Sequence, residues 1–258
     1  MDNKYILGNR IRAFRKRAGI SQFDLELGIG TSPGGLSRIE NGEVNPTKET
    51  VIKIADFLKL TNQESQYLYG NWFYPATKEE VVHATEDTNE YFSKKGVLAY
   101  ILDERFRCIA ISRSFQKLLN LTDSQVEEAF LQPLISILID DKFNIKSFIP
   151  VQAFEEVLKN LLASFYADCG YMEDDEVYNQ QIRSINSDPL ARRLWKVITN
   201  QSLRKYNDVN TRRVILRIGG VNVTMNFIRD PLYRNRRFEI IEYRPSHPFL
   251  KLVTKLVT

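Results

Sequence analysis

The residues best placed to do chemistry lie in 21–42, SQFDLELGIGTSPGGLSRIENG. Ser21 can cap a helix by accepting a hydrogen bond from a free amide in its first turn. Leu25 and Ile29 stand four apart, on one helical face. The glycines of 28–30 break that helix. Thr31 and Ser32 restart the chain, and Pro33 suits the first position of a new helix. Leu36, Ile39 and Glu40 then share its inward face, and Asn41-Gly42 stops it, because both residues tolerate a left-handed backbone. The stretch therefore predicts a helix, a tight turn and a second helix. Just upstream, Arg10, Arg12, Arg15, Lys16 and Arg17 crowd another helix. That local positive field suits a phosphate backbone. With a net charge of only +4 over 258 residues, the whole molecule is no polycation.

Other chemistries find little support. GIGTSPGG has the glycines of a phosphate-binding loop, but no strand precedes it and no lysine follows in place. Cys108 and Cys169 form neither a CxxC nor a metal-ligand spacing and read as free thiols in a reducing cytosol. His83 and His247 are isolated in sequence, and the neighbours Asp174 and Asp175 read as solvated. No nucleophile–base pair stands out. The expectation is a chain without enzymatic activity, cofactor or metal. The N-terminus is polar and no apolar run approaches membrane-spanning length, which predicts a cytoplasmic protein with no membrane partner.

The elements that must position these residues change character along the chain. Residues 61–96 read as a connector. Its aromatic patch, Tyr67, Leu68, Trp72, Phe73 and Tyr74, suits packing between domains, and a helix over 78–94 is stopped by Gly96. Strands are predicted over 97–102 and 106–111, with a turn at Asp103-Glu104. Helices follow over 112–121, 151–166, 173–184 and 189–199, with an apolar stretch at 131–139. In 151–166 Phe154, Val157, Leu158, Leu161, Leu162 and Phe165 share a face. Asp188 can cap the last helix, Pro189 is its first residue, and Trp195 lies on its apolar side. The chain then returns to strands: 213–218, the turn Gly219-Gly220, 221–227 and 238–243. Two strands, then helices, then three strands predict one antiparallel sheet with helices against one face, the order of a PAS-like domain. The expected fold is α+β. An N-terminal all-α domain of five helices spans 1–62, a helical linker 63–96, a PAS-like antiparallel sheet with helices 97–245, and a tail 246–258.

The first region resembles the Cro/CI-type helix-turn-helix of the XRE family of bacterial and phage repressors. Ser21-Gln22, Leu25, Gly30, Ser32, Leu36 and the run Ser37-Arg38-Ile39-Glu40-Asn41-Gly42 match without a gap. ILGNRIRAFRKRAGI matches the family's first helix, and NPTKETVIKIADFLKL its fourth and fifth. The likeness covers about residues 5–62. It implies that Gln22 and Asn41 hold DNA phosphates and that Arg15 and Glu40 form a buried structural ion pair. It also implies that Ser37 and Arg38 reach base edges, where a guanidinium suits guanine. The candidate DNA-contacting set is Arg12, Gln22, Ser32, Gly34, Gly35, Ser37, Arg38 and Asn41. Many relatives carry Gln, Arg, Ser or Thr where this chain has Pro33-Gly34-Gly35. The front of the second helix therefore has weak direct readout, although Ser32 and the helix N-terminus remain candidates for a phosphate.

A second likeness covers about 97–245. The run VLAYILDERFRCIAISRSFQKLL and the spacing of ASFYADCGYMEDDEVYNQQIRSINSDPLARRLW resemble MmyB-like ligand-binding domains of PAS type. The chain departs from them at Ile111-Ser112, where relatives often have Asn, and it lacks their His-Pro lead-in to the last hairpin. The resemblance implies a fatty-acid-like or other small apolar ligand. Candidate ligand contacts are Phe115, Leu119, Phe154, Leu158, Trp195, Val223, Met225 and Phe227, although for any one of them filling a core is the simpler role. The functional expectation is a sequence-specific transcriptional regulator. It would be a homodimer on a double-stranded operator, modulated by that ligand. The alternative is a protein-interaction module of antitoxin or anti-regulator type, binding its partner through the C-terminal domain.

Overall fold

The computed structural model describes residues 3–70, 74–200 and 213–246. Trp72, Phe73, His247 and the rest of the tail lie outside the described residues. The chain forms two compact units. One comprises 1–75 together with 170–179, the other 76–169 with 180–258.

The first unit holds α1 (Asn3–Arg17), α2 (Gln22–Ile29), α3 (Gly35–Glu40), α4 (Lys48–Phe57) and α5 (Asn62–Tyr69). α1 packs on α3 and α5, and α2 packs on α3 and α4. Ile11, Phe14, Leu25, Leu36 and Ile54 are buried nearly completely. The Ser21 side chain accepts from the Asp24 amide at 3.1 Å and starts α2. Three local expectations change. Gly28 does not break α2 but lies inside it, where a side chain would run into the Phe57 ring. Pro33 sits in the turn, and α3 starts two residues later from Gly34, whose φ of 76° is a left-handed value that a side chain would oppose. The run NPTKETVIKIADFLKL contains only α4; the fifth helix follows it, opened by a reciprocal capping box between Thr61 and Glu64.

The second unit opens with α6 (Lys78–Phe92), β1 (Ala99–Asp103), β2 (Cys108–Ile111), α7 (Arg113–Leu118), α8 (Asp123–Ala129) and α9 (Leu134–Ile139). α10 (Val151–Cys169), α11 (Glu176–Ser187) and α12 (Pro189–Thr199) follow, then β3 (Arg213–Ile218), β4 (Val221–Pro231) and β5 (Phe238–Pro245). The first residues of α11 belong to the other unit. The five strands make one antiparallel sheet in the order β2-β1-β5-β4-β3. The fold is α+β, helical first and sheet-based after.

Alternation along the strands gives the sheet two different faces. Ala99, Ile101, Ile109 and Phe238 pack with Val81, Ala84 and Phe92 of α6. Tyr100, Ile241 and Tyr243 point the other way, towards Phe115 and the helices that follow β2. Helices therefore cover both faces, because α6, expected in a linker, is amphipathic enough to pack on the sheet itself. The Asp103-Glu104 turn is buried rather than wet. Asp103 accepts from the Arg105 and Arg107 amides at 3.0 and 2.8 Å, and Glu104 accepts from Arg237 at 2.6 Å. Ser112, where the second resemblance expects Asn, is fully buried. It donates to the Val97 carbonyl at 2.7 Å, accepts from the Ala99 amide at 3.1 Å and caps α7.

Candidate nucleic-acid interface and the cavity of the sheet unit

The end of α3 is organised around one carboxylate. Glu40 is fully buried, and Arg15 grips it with Nε 2.6 Å from Oε1 and Nη2 3.0 Å from Oε2. Gln22 donates to Oε2 at 2.8 Å, and Arg12 Nε lies 3.4 Å away. Burial works to raise the Glu40 carboxyl. The hydrogen bonds from Arg15 and Gln22, the Arg15 charge and Arg12 outweigh it and hold the group below the usual carboxylate range. Arg12 also donates to the Glu40 carbonyl at 2.9 Å and to Asn41 Oδ1 at 2.6 Å. The structure thus brings together Arg12, Arg15, Gln22, Glu40 and Asn41 of the expected set. It does so as a network tying α1 and α2 to the end of α3.

At the opposite end of α3, Gly34 has no side chain to cap the helix. Glu26, buried in α2, supplies the acceptor instead: its Oε1 takes the Leu36 amide at 2.9 Å. This residue was missed in the sequence. Its one signal was a carboxylate beside Leu25 on the apolar side of α2. The Leu36 amide at the start of α3 is thus already taken by a side chain of the same unit. Ser32 and Gly34 are exposed in the preceding turn, and Gly35 and Ser37 are half-buried. Arg38 is exposed, and its guanidinium has no partner among the described residues.

The basic run of α1 is also used inward. Arg10 is buried, donating to the Tyr67 carbonyl at 2.8 Å with Nε 3.5 Å from Asp174. Arg12 and Arg15 turn to Glu40, and Arg17 pairs with Glu64. Only Lys16 of the five is exposed. The expected field is therefore compensated, because the carboxylates that answer these cations lie far away in sequence. Asp174, expected in solvent, also accepts from the Tyr67 hydroxyl at 2.6 Å, and Asp175 caps the start of α11. Burial and then the Asp174 charge push the Tyr67 phenol far above its ordinary value, so it stays a donor. Tyr171 stacks on Phe14 with ring centroids 4.7 Å apart.

In the sheet unit a cavity of about 380 Å³ lies between the sheet and the helices that follow β2. Its walls are overwhelmingly apolar. Phe115, Leu119 and Phe227 of the expected ligand contacts line it; Phe154, Leu158, Trp195, Val223 and Met225 do not. On α10 the cavity meets Val157, Asn160, Leu161 and Ser164, one side of the stripe. Leu158 is fully buried, and Trp195 of α12 lies 5.8 Å from the Phe165 ring. Val223 and Met225 share the Phe227 face of β4 and are fully buried. The cavity's polar groups are few. The Tyr100 and Tyr243 hydroxyls stand 3.5 Å apart, Cys108 lends a thiol, and Arg229 lies between Asp168 and Glu239. Burial, with Asp103 nearby, pushes the Cys108 thiol up to about 12, so it is neutral.

Among the described residues no three His, Cys, Asp or Glu side chains come together to hold a metal ion. Both cysteines are free, and His83 is exposed on α6 beside Glu79 and Glu86. No described helix is long and apolar enough to cross a membrane. Residues 11–61 match the family model described as helix-turn-helix. No curated protein matches the chain. Together with the geometry of α2 and α3, the match places a helix-turn-helix DNA-binding domain in the N-terminal unit. The molecule that carries it is a DNA-binding transcriptional regulator.

Proposed function

We propose that Arg38 and Ser37 of α3 read base edges of a double-stranded operator, while Ser32 and Gly34 of the preceding turn and Gly35 at the start of α3 approach its backbone. The observation that carries this reading is the contrast within α3. Its other charged group, Glu40, is tied inward, and Arg38 alone projects an uncommitted fork of donors. Arg12, Gln22 and Asn41 are engaged with one another through Glu40. Their contact with phosphate would add to that network. We further infer that the chain acts as a homodimer and that the sheet unit, PAS-like in its order of strands and helices, holds a small apolar ligand. The mostly apolar cavity supports the ligand. The two half-sites of a dimer would stand about 34 Å apart, so a ligand-dependent shift of the two heads changes affinity. The match to a helix-turn-helix does not favour the protein-interaction alternative.

Selection from a randomised duplex pool with the full chain tests the reading. An enriched inverted repeat with half-sites one helical turn apart supports a dimeric operator binder. A pool that stays random overturns it.

A further inference from the structure

The ligand reading just given can be made narrower, because the buried polar groups of the cavity wall are neutral or already paired. Arg229 is the cation of its inner wall, and it is taken twice. It donates to Glu239 at 2.9 and 2.6 Å and to Asp168 at 2.7 Å. A guanidinium already held by two carboxylates offers no spare positive charge to an anionic head. Such a head entering there would be buried without a cation of its own, which is costly. The remaining inner groups are neutral: burial keeps the Tyr100 and Tyr243 phenols and the Cys108 thiol protonated. The two phenols are held in an aromatic cluster, Phe115 lying 6.2 Å from the Tyr100 ring and 5.4 Å from that of Tyr243. At 3.5 Å their mutual hydrogen bond is at the outer limit, so each oxygen has capacity for a third partner. Arg213 and Glu127 also border the cavity, but they are exposed and of opposite sign.

We propose that the cavity takes an uncharged amphiphile, an apolar body with one neutral oxygen-bearing head set between Tyr100 and Tyr243, and that it rejects the carboxylate of the same chain length. This inference rests on the ligand reading of the sheet unit. It differs from the fatty-acid-like expectation in the charge of the head.

Displacement of Nile red from the full-length protein by dodecanol below its solubility limit and by dodecanoate below its micellar concentration, at neutral pH, tests it. The alcohol is expected to displace the dye at a concentration about tenfold or more below that of the carboxylate. Tyr243→Phe and Tyr100→Phe are each expected to weaken the alcohol several-fold relative to the dye, whose own affinity is measured in each variant. Equal or tighter displacement by dodecanoate overturns the proposal, and Arg213→Gln then shows whether the rim cation holds it. An alcohol indifferent to both tyrosine variants overturns the assignment of the head. A protein that binds neither dye nor any chain compound ends the ligand reading itself, and the proposal with it.

Discussion

Removing the Glu26 carboxylate leaves the Leu36 amide buried without an acceptor at the start of α3. Glu26→Ala is therefore expected to lower the protection of that amide against hydrogen exchange by about 1–3 kcal/mol, while Glu26→Gln, which keeps an acceptor oxygen, retains most of it. Equal loss in both variants would mean that the charge, not the hydrogen bond, matters. Arg38→Ala is expected to cost about 1–3 kcal/mol on the selected operator and to relax preference at one base position. A uniform loss across sequences, measured by titrating a set of single-base operator variants, would place the guanidinium on phosphate. Glu40 makes stability depend on acid. Its folded carboxyl titrates below the unfolded value of 4.5, so its stabilising contribution is complete above that value and is lost as the pH falls through the lower, folded one. Thermal unfolding from about pH 6 down to about pH 3 is expected to show a steeper loss in the parent than in Glu40→Gln, which has no such proton to take up.

Glycine at position 8 shows how contact between elements decides the sign of a substitution. In the interior of α1, alanine would by propensity alone add about 1 kcal/mol. A methyl group there would run into the Ile39 carbonyl oxygen of α3, and backbone has little room to retreat. Gly8→Ala is expected to destabilise the first unit by about 1–3 kcal/mol, measured by denaturant unfolding. Elements whose signals are local were readable in advance: the Ser21 cap, the Asp188 cap with Pro189 behind it, and the turn at Gly219-Gly220 each depend on neighbours within a few residues. α8 went unread although Thr122 and Gln125 form a capping box, because its short body has little apolar periodicity. The cavity was legible only as a face. Periodicity places Val223, Met225 and Phe227 on one side of β4, but depth along the strand depends on which helix lies over each residue. Glu26 acts across ten residues and Arg10 across more than a hundred, and no local pattern records such partners.

At the scale of the whole molecule, the DNA-binding unit is not a contiguous piece of chain. Residues 170–179 belong to it, with Tyr171 stacked on Phe14 and Asp174 between Arg10 and Tyr67. A fragment of residues 1–75 alone is expected to unfold at lower denaturant concentration than the same unit in the full chain, and Tyr171→Ala should reproduce much of that loss, about 3–5 kcal/mol for an aromatic core residue. Hydrogen exchange of α1 and α5 amides in the three proteins checks it. The same discontinuity has a consequence in time. The five helices leave the ribosome early, yet their last packing partners follow about a hundred residues later. At typical synthesis rates that is a wait of about 5–20 s. For that interval the nascent chain carries helices able to form but a core lacking one wall.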